Sequence, residues 1–317
     1  MTRSNYHPKS KPRGASIAQD NRTSRDRGLR GAGLFGAKAM KLLGLSDIHG
    51  NVEAVRKLRE RARNEFDAVV VAGDIGGKAA TEIMGILATF ACPVMYVFGN
   101  WDRQLPYDSD FGPVCHHLHL RSVACGGWAF AGFSGLPTSW GMNPIATALL
   151  QEVKGKHVAA SPDNADYLSD LQKASEEAGR LNRRKLAAVV RGSPAGPSRT
   201  IVVTHDRLFR IESDLPEVPI HLFGHRHGFK MTTYKGTKFV NVSALDDFVT
   251  VRPSNKAGCG LDDLRNVNAG SYTIIEIDGD RVDARPIRFE PQLDGWAVVP
   301  DQKLSGVPWL REGELPK

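Results

Sequence analysis

Five times between residues 41 and 227, a strand-like apolar run stops at a short segment of Asp, His or Asn, in four cases with Gly beside it. KLLGLS ends in Asp47-Ile48-His49-Gly50-Asn51, VVVA in Gly73-Asp74-Ile75-Gly76-Gly77, and VMYVF in Gly99-Asn100-Trp101-Asp102. TIVV ends in Thr204-His205-Asp206, and IHLF in Gly224-His225-Arg226-His227. Strand ends in open α/β sheets are where ligand sites form, so this recurrence constrains fold and site together. A single Asp-x-His or Gly-Asp after a strand is more often a helix cap or a turn. Five in succession are not explained that way.

Apolar strand-like runs alternate with amphipathic helical stretches from Met40 onward, which predicts a layered α/β fold. Strands are expected at Lys41 to Ser46, Ala68 to Ala72, Val94 to Phe98, Trp128 to Phe133, Thr200 to Thr204, Ile220 to Phe223, Lys230 to Tyr234, Lys238 to Val242 and Tyr272 to Ile277. Asn51 is a helix cap, opening a helix to about Arg63 with Val52, Val55, Leu58 and Ala62 on one face. Further helices are expected at Ala79 to Phe90 and, with a highly charged face, from about Pro162 to Val190. From about Pro286 the periodicity weakens, predicting a segment that wraps over the domain or hangs loosely. The expected organisation is a tail at 1–39, one domain at 40–290 and a C-terminal extension at 291–317.

The formal charge of +7 belongs to the tail. Residues 1–41 hold ten Lys or Arg against two Asp, leaving 32 basic and 33 acidic residues for the remainder. Residues 1–37 are rich in Ser, Asn, Gly, Pro and Arg without apolar periodicity, the composition of a disordered segment. A nucleic-acid-binding arm, a targeting peptide and a start properly placed at Met40 all fit it; a solvated tail or an early start is the plainest reading. No window is apolar enough for a membrane span. Four cysteines without a CxxC pair point to reduced thiols and a cytoplasmic protein.

Carboxylate, amide and imidazole suit Mn, Fe, Zn or Mg-like divalent ions, and the lack of clustered Cys argues against structural zinc or iron–sulfur. Read as extended chain, His225 and His227 point to the same side and Arg226 away. The glycines are expected to permit sharp turns and to leave room for a bulky phosphate. Asp102 and Asp206 are expected to orient a neighbouring His or cap a helix, and His116, His117 and His119 to be exposed or capping loop residues.

Taken together, Asp47-x-His49, Gly73-Asp74, Gly99-Asn100, His205 and Gly224-His225-x-His227 resemble the signature of the calcineurin-like metallophosphoesterase superfamily over about Met40 to Ala244. The resemblance implies two face-to-face mixed β-sheets flanked by helices in four layers, with a dimetal site at the strand ends. It implies that Asp47, His49 and His227 hold one ion, that Asn100, His205 and His225 hold the other, and that Asp74 bridges them. Asp74, Asn100 and His205 would be the catalytic set. The cofactors implied are two divalent ions, Mn²⁺ foremost, with Fe, Zn or Ni as alternatives. The reaction implied is hydrolysis of a phosphate ester by a dimetal-activated hydroxide.

Trp101 departs from the family pattern, because many members carry a His after the Asn. Indole has no titratable group in the working range, so it cannot replace a general acid. This favours phosphodiesters or other esters with acidic leaving groups, with a phosphomonoesterase or a non-catalytic docking protein as alternatives. Trp101 would close the pocket wall or stack on a nucleobase, the wall being favoured because large aromatics bury well. Arg103 and Arg226 are expected to contact phosphate oxygens. The expected partner is a small or nucleotide-like phosphate ester; nucleic acid enters only through the basic tail.

Overall fold

The computed structural model describes residues 39–62, 65–135, 144–158, 161, 163–208, 210–246, 250–251, 264–265 and 270–289. The expectations for residues 1–38 and 291–317 fall outside them.

In chain order the strands are β1 (Met40–Leu45), β2 (Ala68–Ala72), β3 (Val94–Val97), β4 (Cys115–His117), β5 (Ser122–Cys125), β6 (Trp128–Phe133), β7 (Thr200–Thr204), β8 (Ile220–Phe223), β9 (Lys230–Tyr234), β10 (Thr237–Asn241), β11 (Thr250–Val251), β12 (Leu264–Arg265), β13 (Ser271–Asp278) and β14 (Arg281–Arg288). The helices are α1 (Val52–Arg61), α2 (Ala80–Ala88), α3 (Pro144–Lys156), α4 (Ala165–Arg191) and α5 (Ile211–Asp214).

Two six-stranded mixed sheets result, ordered β14-β13-β1-β2-β3-β4 and β5-β6-β7-β8-β10-β9. In the first, β1 to β4 run parallel and β13 and β14 antiparallel; in the second, β6, β7, β8 and β10 run parallel between antiparallel β5 and β9.

The period-two alternation of a strand sorts side chains between layers. Leu43, Leu45, Val69 and Val71 face α1 and α2, meeting Val55, Leu58, Ile83 and Leu87. Leu42, Val70, Met95 and Val97 face the opposite way and pack against Phe130, Ile201, Leu222 and Val240 of the second sheet. On that sheet's far side, Phe133, Val202 and Phe239 meet Leu186, Val190 and Ile211 from α4 and α5. Helices, sheet, sheet and helices therefore form the four layers expected. At about 1.5–3 kcal/mol for each large apolar side chain removed from water, these three interfaces supply the main stabilising term.

Local signals set the boundaries. The Asn51 side chain accepts from Ala54 N and opens α1, which carries Glu53 in its first turn and Arg59 and Arg61 in its last, all matching the helix dipole. Asn164 caps α4 by accepting from Asp166 N and Tyr167 N, so that helix starts three residues later than predicted.

Several elements differ from expectation. β4 and β5 are short pieces of three and four residues, and α3 has a weakly amphipathic sequence. The stretch expected to turn loose at Pro286 continues β14 to Arg288, with Pro286 opposite Thr273. Since β14 is an edge strand, the missing N–H of Pro286 is tolerated there.

The parallel strands of both sheets finish at one edge. A parallel bridge between Ser46 and Ala244 joins the sheets there, just before Asp47.

Candidate metal centre

The turn after β1 and the turn after β2 are stitched together by backbone. Asp47 N donates to Gly73 O, Ile48 N and His49 N to Asp74 O, and Gly50 N to Ile75 O, at 2.8–3.1 Å. Gly224 N donates to His205 O at 2.8 Å, tying the β8 turn to that of β7. Asp102, fully buried, binds the β3 turn to the β2 turn: its carboxylate accepts from Gly99 N (2.7 Å), Gly76 N (2.8 Å) and Ile75 N (3.2 Å). It therefore braces backbone and caps the short turn Asn100–Asp102, the second of its two expected roles, rather than orienting a histidine. Burial first, and then the charge of Asp74, push its carboxyl up, partly offset by these N–H groups.

Two three-residue groups arise at this edge. Asp47, His49 and His227 form one, Asp74, His205 and His225 the other, and within each the ligand-capable atoms lie within 4.8 Å of one another. Asp74 Oδ2 stands between the groups, 3.4 Å from His49 Nε2 and 3.3 Å from His205 Nε2. Asn100 Oδ1 lies 3.0 Å from His205 Nε2. All seven sequence-predicted ligands thus converge.

The donor set fits a pair of cations. His205 Nδ1 can only donate to Ala72 O, 2.9 Å away, which leaves Nε2 as the lone-pair nitrogen. With the Asn100 amide oriented as it stands, that lone pair faces two further electron-rich oxygens, Asn100 Oδ1 and Asp74 Oδ2. Asp47 Oδ2 accepts from Ser46 Oγ (2.6 Å) and His225 N (2.9 Å), whereas buried Asp47 Oδ1 has no hydrogen-bond partner and faces His227 Nε2 at 3.4 Å. Convergent acceptors with an orphaned buried oxygen are costly unless a proton or a cation neutralises them.

Without a cation, protons take that role. Burial pulls His205 down, but the charge and hydrogen bond of Asp74 outweigh it and raise the ring to about 10. His49 is likewise pulled down by burial and pushed up to about 9 by Asp246 and Asp74. Burial would raise the carboxyls of Asp47 and Asp74, yet the neighbouring histidines hold both below the usual range. Burial and the proximity of His205 lower His225.

Backbone strain is concentrated here. Of nine non-glycine residues with positive φ among those described, five are Asp47, His49, Asp74, His225 and His227, at +49° to +66°. Such conformations cost on the order of 1–3 kcal/mol each and persist where surrounding structure dictates them. The His225–His227 segment is therefore not the extended chain predicted, and its two histidines enter different groups.

The neighbouring glycines make room for the ligand side chains and the groups beside them. A Cβ on Gly99 would lie 2.3 Å from Asp74 Oδ1 and 2.7 Å from His205 Nδ1, and one on Gly224 would lie 1.6 Å from Ser46 Oγ.

Asp246 was not among the sequence candidates. Its carboxylate lies 3.2 Å from His49 Nδ1 and accepts from Asn51 Nδ2 at 2.9 Å, and its N donates to Asp47 O at 3.1 Å. The acids after the β10 strand were the available signal.

The remaining candidates lie around this core. Trp101 donates its backbone N–H to Asp74 Oδ1 at 2.7 Å, and its ring lies 4.4 Å from that of His49. Being 55% exposed, it is not a buried wall. Arg226 Nε lies 3.5 Å from Asp206 Oδ1, and Arg103 is exposed. His117 and His119 are not exposed loop residues: His117 Nε2 meets Ser134 Oγ at 2.6 Å, and His119 Nδ1 accepts from Ser134 N at 3.0 Å. Burial, and next Arg121, lower both rings to about 4.

Similarity to solved structures is low in identity and extends over most of the chain. The chain is similar to protein TT1561 of Thermus thermophilus (14% identity, 79% of this chain and 100% of that one, TM-score 0.44). It is also similar to GAP50, the anchor in the inner membrane complex of Plasmodium (11%, 79% and 84%, 0.45). A third is the phosphopantetheinyl hydrolase of Mycobacterium tuberculosis (17%, 66% and 90%, 0.39). No curated protein gives a significant match. The model of the calcineurin-like phosphoesterase superfamily domain matches residues 40–250, and the chain belongs to that superfamily.

Proposed function

We propose that the protein is a metal-dependent hydrolase of phosphate esters, with phosphodiesters bearing acidic leaving groups as its substrates. Membership of a superfamily of phosphoesterases supports the general reaction. The observation that carries the metal dependence is Asp74 Oδ2, shared between His49 Nε2 and His205 Nε2 at the junction of two ligand groups.

In this reading Asp47, His49 and His227 hold one divalent ion, Asn100, His205 and His225 the other, and Asp74 lies between them. When bound, such ions lower the pKa of water and neutralise charge on phosphate oxygens. Mn²⁺ suits this mixed carboxylate, amide and imidazole set, as do Fe, Zn and Ni.

The chain's own contribution is orientation. Ala72 O fixes the tautomer of His205, Asp246 holds His49, and Ser46 with His225 N turns Asp47 so that Oδ1 faces the site. Trp101 supplies no proton to a leaving group, which restricts efficient substrates to those that depart as weak bases. Its exposed ring beside His49 offers a face for an aromatic leaving group. Arg103 and Arg226 would contact phosphate at the rim. A non-catalytic docking role is disfavoured, since five strained backbone positions gather around one orphaned carboxylate oxygen, an arrangement suited to ligand chemistry.

The test compares bis-p-nitrophenyl phosphate with p-nitrophenyl phosphate, using chelator-stripped protein with Mn²⁺ restored. Metal-dependent turnover that favours the diester is expected. Preference for the monoester would overturn the substrate assignment, and turnover in chelator would overturn the metal.

A further inference from the structure

On the helical layer, Arg180, Arg183, Arg184 and Arg191 line a groove of about 580 Å³ between α4 and α5. Among the described residues Asp214, Ser213 and Ala187 share it with them. Positions 180, 184, 187 and 191 recur at helical spacing on one face of α4. At 1.5 Å per residue, the arginine stripe runs about 16 Å along the axis.

Part of this charge is not spent internally. Arg184 makes no hydrogen bond or ion pair within the described residues. Arg183 Nε is buried without a hydrogen-bond partner; Asp214 Oδ2 is 3.3 Å away but off the N–H direction. Arg191 Nη2 donates to the Asp214 backbone carbonyl at 2.7 Å, fixing α5 against α4. Arg180 is forked onto Glu177, its Nε at 2.6 Å from Oε2, in a solvent-exposed pair that water and salt screen.

Guanidinium forks match phosphate bidentately, and a row of them matches a row of phosphates. Among the described residues no aromatic side chain lines the groove as a platform for base stacking, and Ala187 alone is apolar, which is little to hold a peptide's side chains. The length of the stripe suits a polymer better than a single phosphate. We propose that the α4–α5 groove binds the phosphate backbone of duplex nucleic acid without reading its bases.

The test is fluorescence anisotropy of the full chain with a labelled DNA duplex of about 20 base pairs at several salt concentrations, in chelator, where each phosphate contact contributes about 0.9 to the slope of log K against log salt. Working in chelator separates the result from the metal-centre reading. The variants avoid Arg183 and Arg191, which hold α5. Arg180→Ala with Arg184→Ala should lower the slope by about 2, and Arg184→Glu alone should weaken binding severalfold, with near-UV circular dichroism unchanged. An unchanged slope and affinity in Arg184→Glu, or displacement of the duplex by polyglutamate as readily as by a second duplex, would overturn the proposal.

Discussion

His49 and Asp246 are 197 residues apart, yet His49 Nδ1 lies 3.2 Å from Asp246 Oδ2. The same carboxylate accepts from Asn51 Nδ2, so one acid orients both the histidine and the cap of α1. Replacing it leaves every proposed ligand in place while freeing the His49 ring. Asp246→Ala is expected to lower metal affinity about 10- to 100-fold, the usual range for a group that holds a ligand histidine. Isothermal titration with Mn²⁺ checks this; unchanged affinity would show that Asp246 is not part of the centre.

Two glycine substitutions should move stability in opposite directions. A Cβ on Gly99 meets Asp74 and His205, whereas one on Gly85, inside α2, meets nothing within 4 Å. Gly99→Ala is expected to destabilise by about 1–3 kcal/mol through overpacking and to impair metal binding. Gly85→Ala is expected to stabilise by about 0.5–1 kcal/mol. Thermal unfolding of the two variants reads both signs.

The pH dependence of the metal-free protein follows from histidines shifted in opposite senses. His205 and His49 are raised to about 10 and about 9, so their contribution is full below the unfolded value near 6.5 and is lost as pH rises toward 9–10. Burial, followed by the Arg207 charge, lowers His221 to about 3, while His117 and His119 sit at about 4. Buried His221 Nδ1 has no hydrogen-bond partner, and a proton there would have no acceptor. These three rings stay neutral when folded, so stability is lost as pH falls from about 6.5 toward 4, at up to about 1.4 kcal/mol per pH unit for each proton taken up. Urea unfolding in chelator should therefore give greatest stability near pH 6.5, and added Mn²⁺ should remove the alkaline limb. An alkaline limb unaffected by metal would contradict this assignment of protons.

Trp101 provides a test of leaving-group dependence. Trp101→His restores a titratable group beside Asn100 and is expected to raise turnover of alkyl phosphate esters, by up to about 10²-fold, with little effect on p-nitrophenyl esters. Trp101→Ala should raise KM for aryl diesters more than it changes kcat, since only ring contact is lost. Steady-state kinetics on paired alkyl and aryl substrates separates the two effects.

The ligands were legible because each stands where an apolar run ends, and parallel strands deliver such ends to one edge. Asp47, Asp74 and Asn100 follow adjacent strands of one sheet, and His205 and His225 adjacent strands of the other. What was not legible depends on pairing across the chain. Asp246 is recruited by its backbone bond to Asp47 O, which exists only because Ser46 bridges Ala244. His117 belongs to a three-residue strand that exists by pairing with β3, so local sequence suggested a loop. β14 carries Pro286 and several charges on an exposed edge, and of its residues only Val282 is buried, which hides the period of two. The left-handed backbone at His225 and His227 likewise reflects the demands of two sites, not a local preference.

The most direct measurement is metal content and diester hydrolysis in the same preparation, titrating Mn²⁺ into chelator-stripped protein and into Asp74→Ala. Two ions per chain are expected, with turnover of bis-p-nitrophenyl phosphate appearing as the second binds and falling on the order of 10³-fold or more in Asp74→Ala. Full turnover with no bound metal, or undiminished turnover without the Asp74 carboxylate, would contradict a centre built around that shared oxygen.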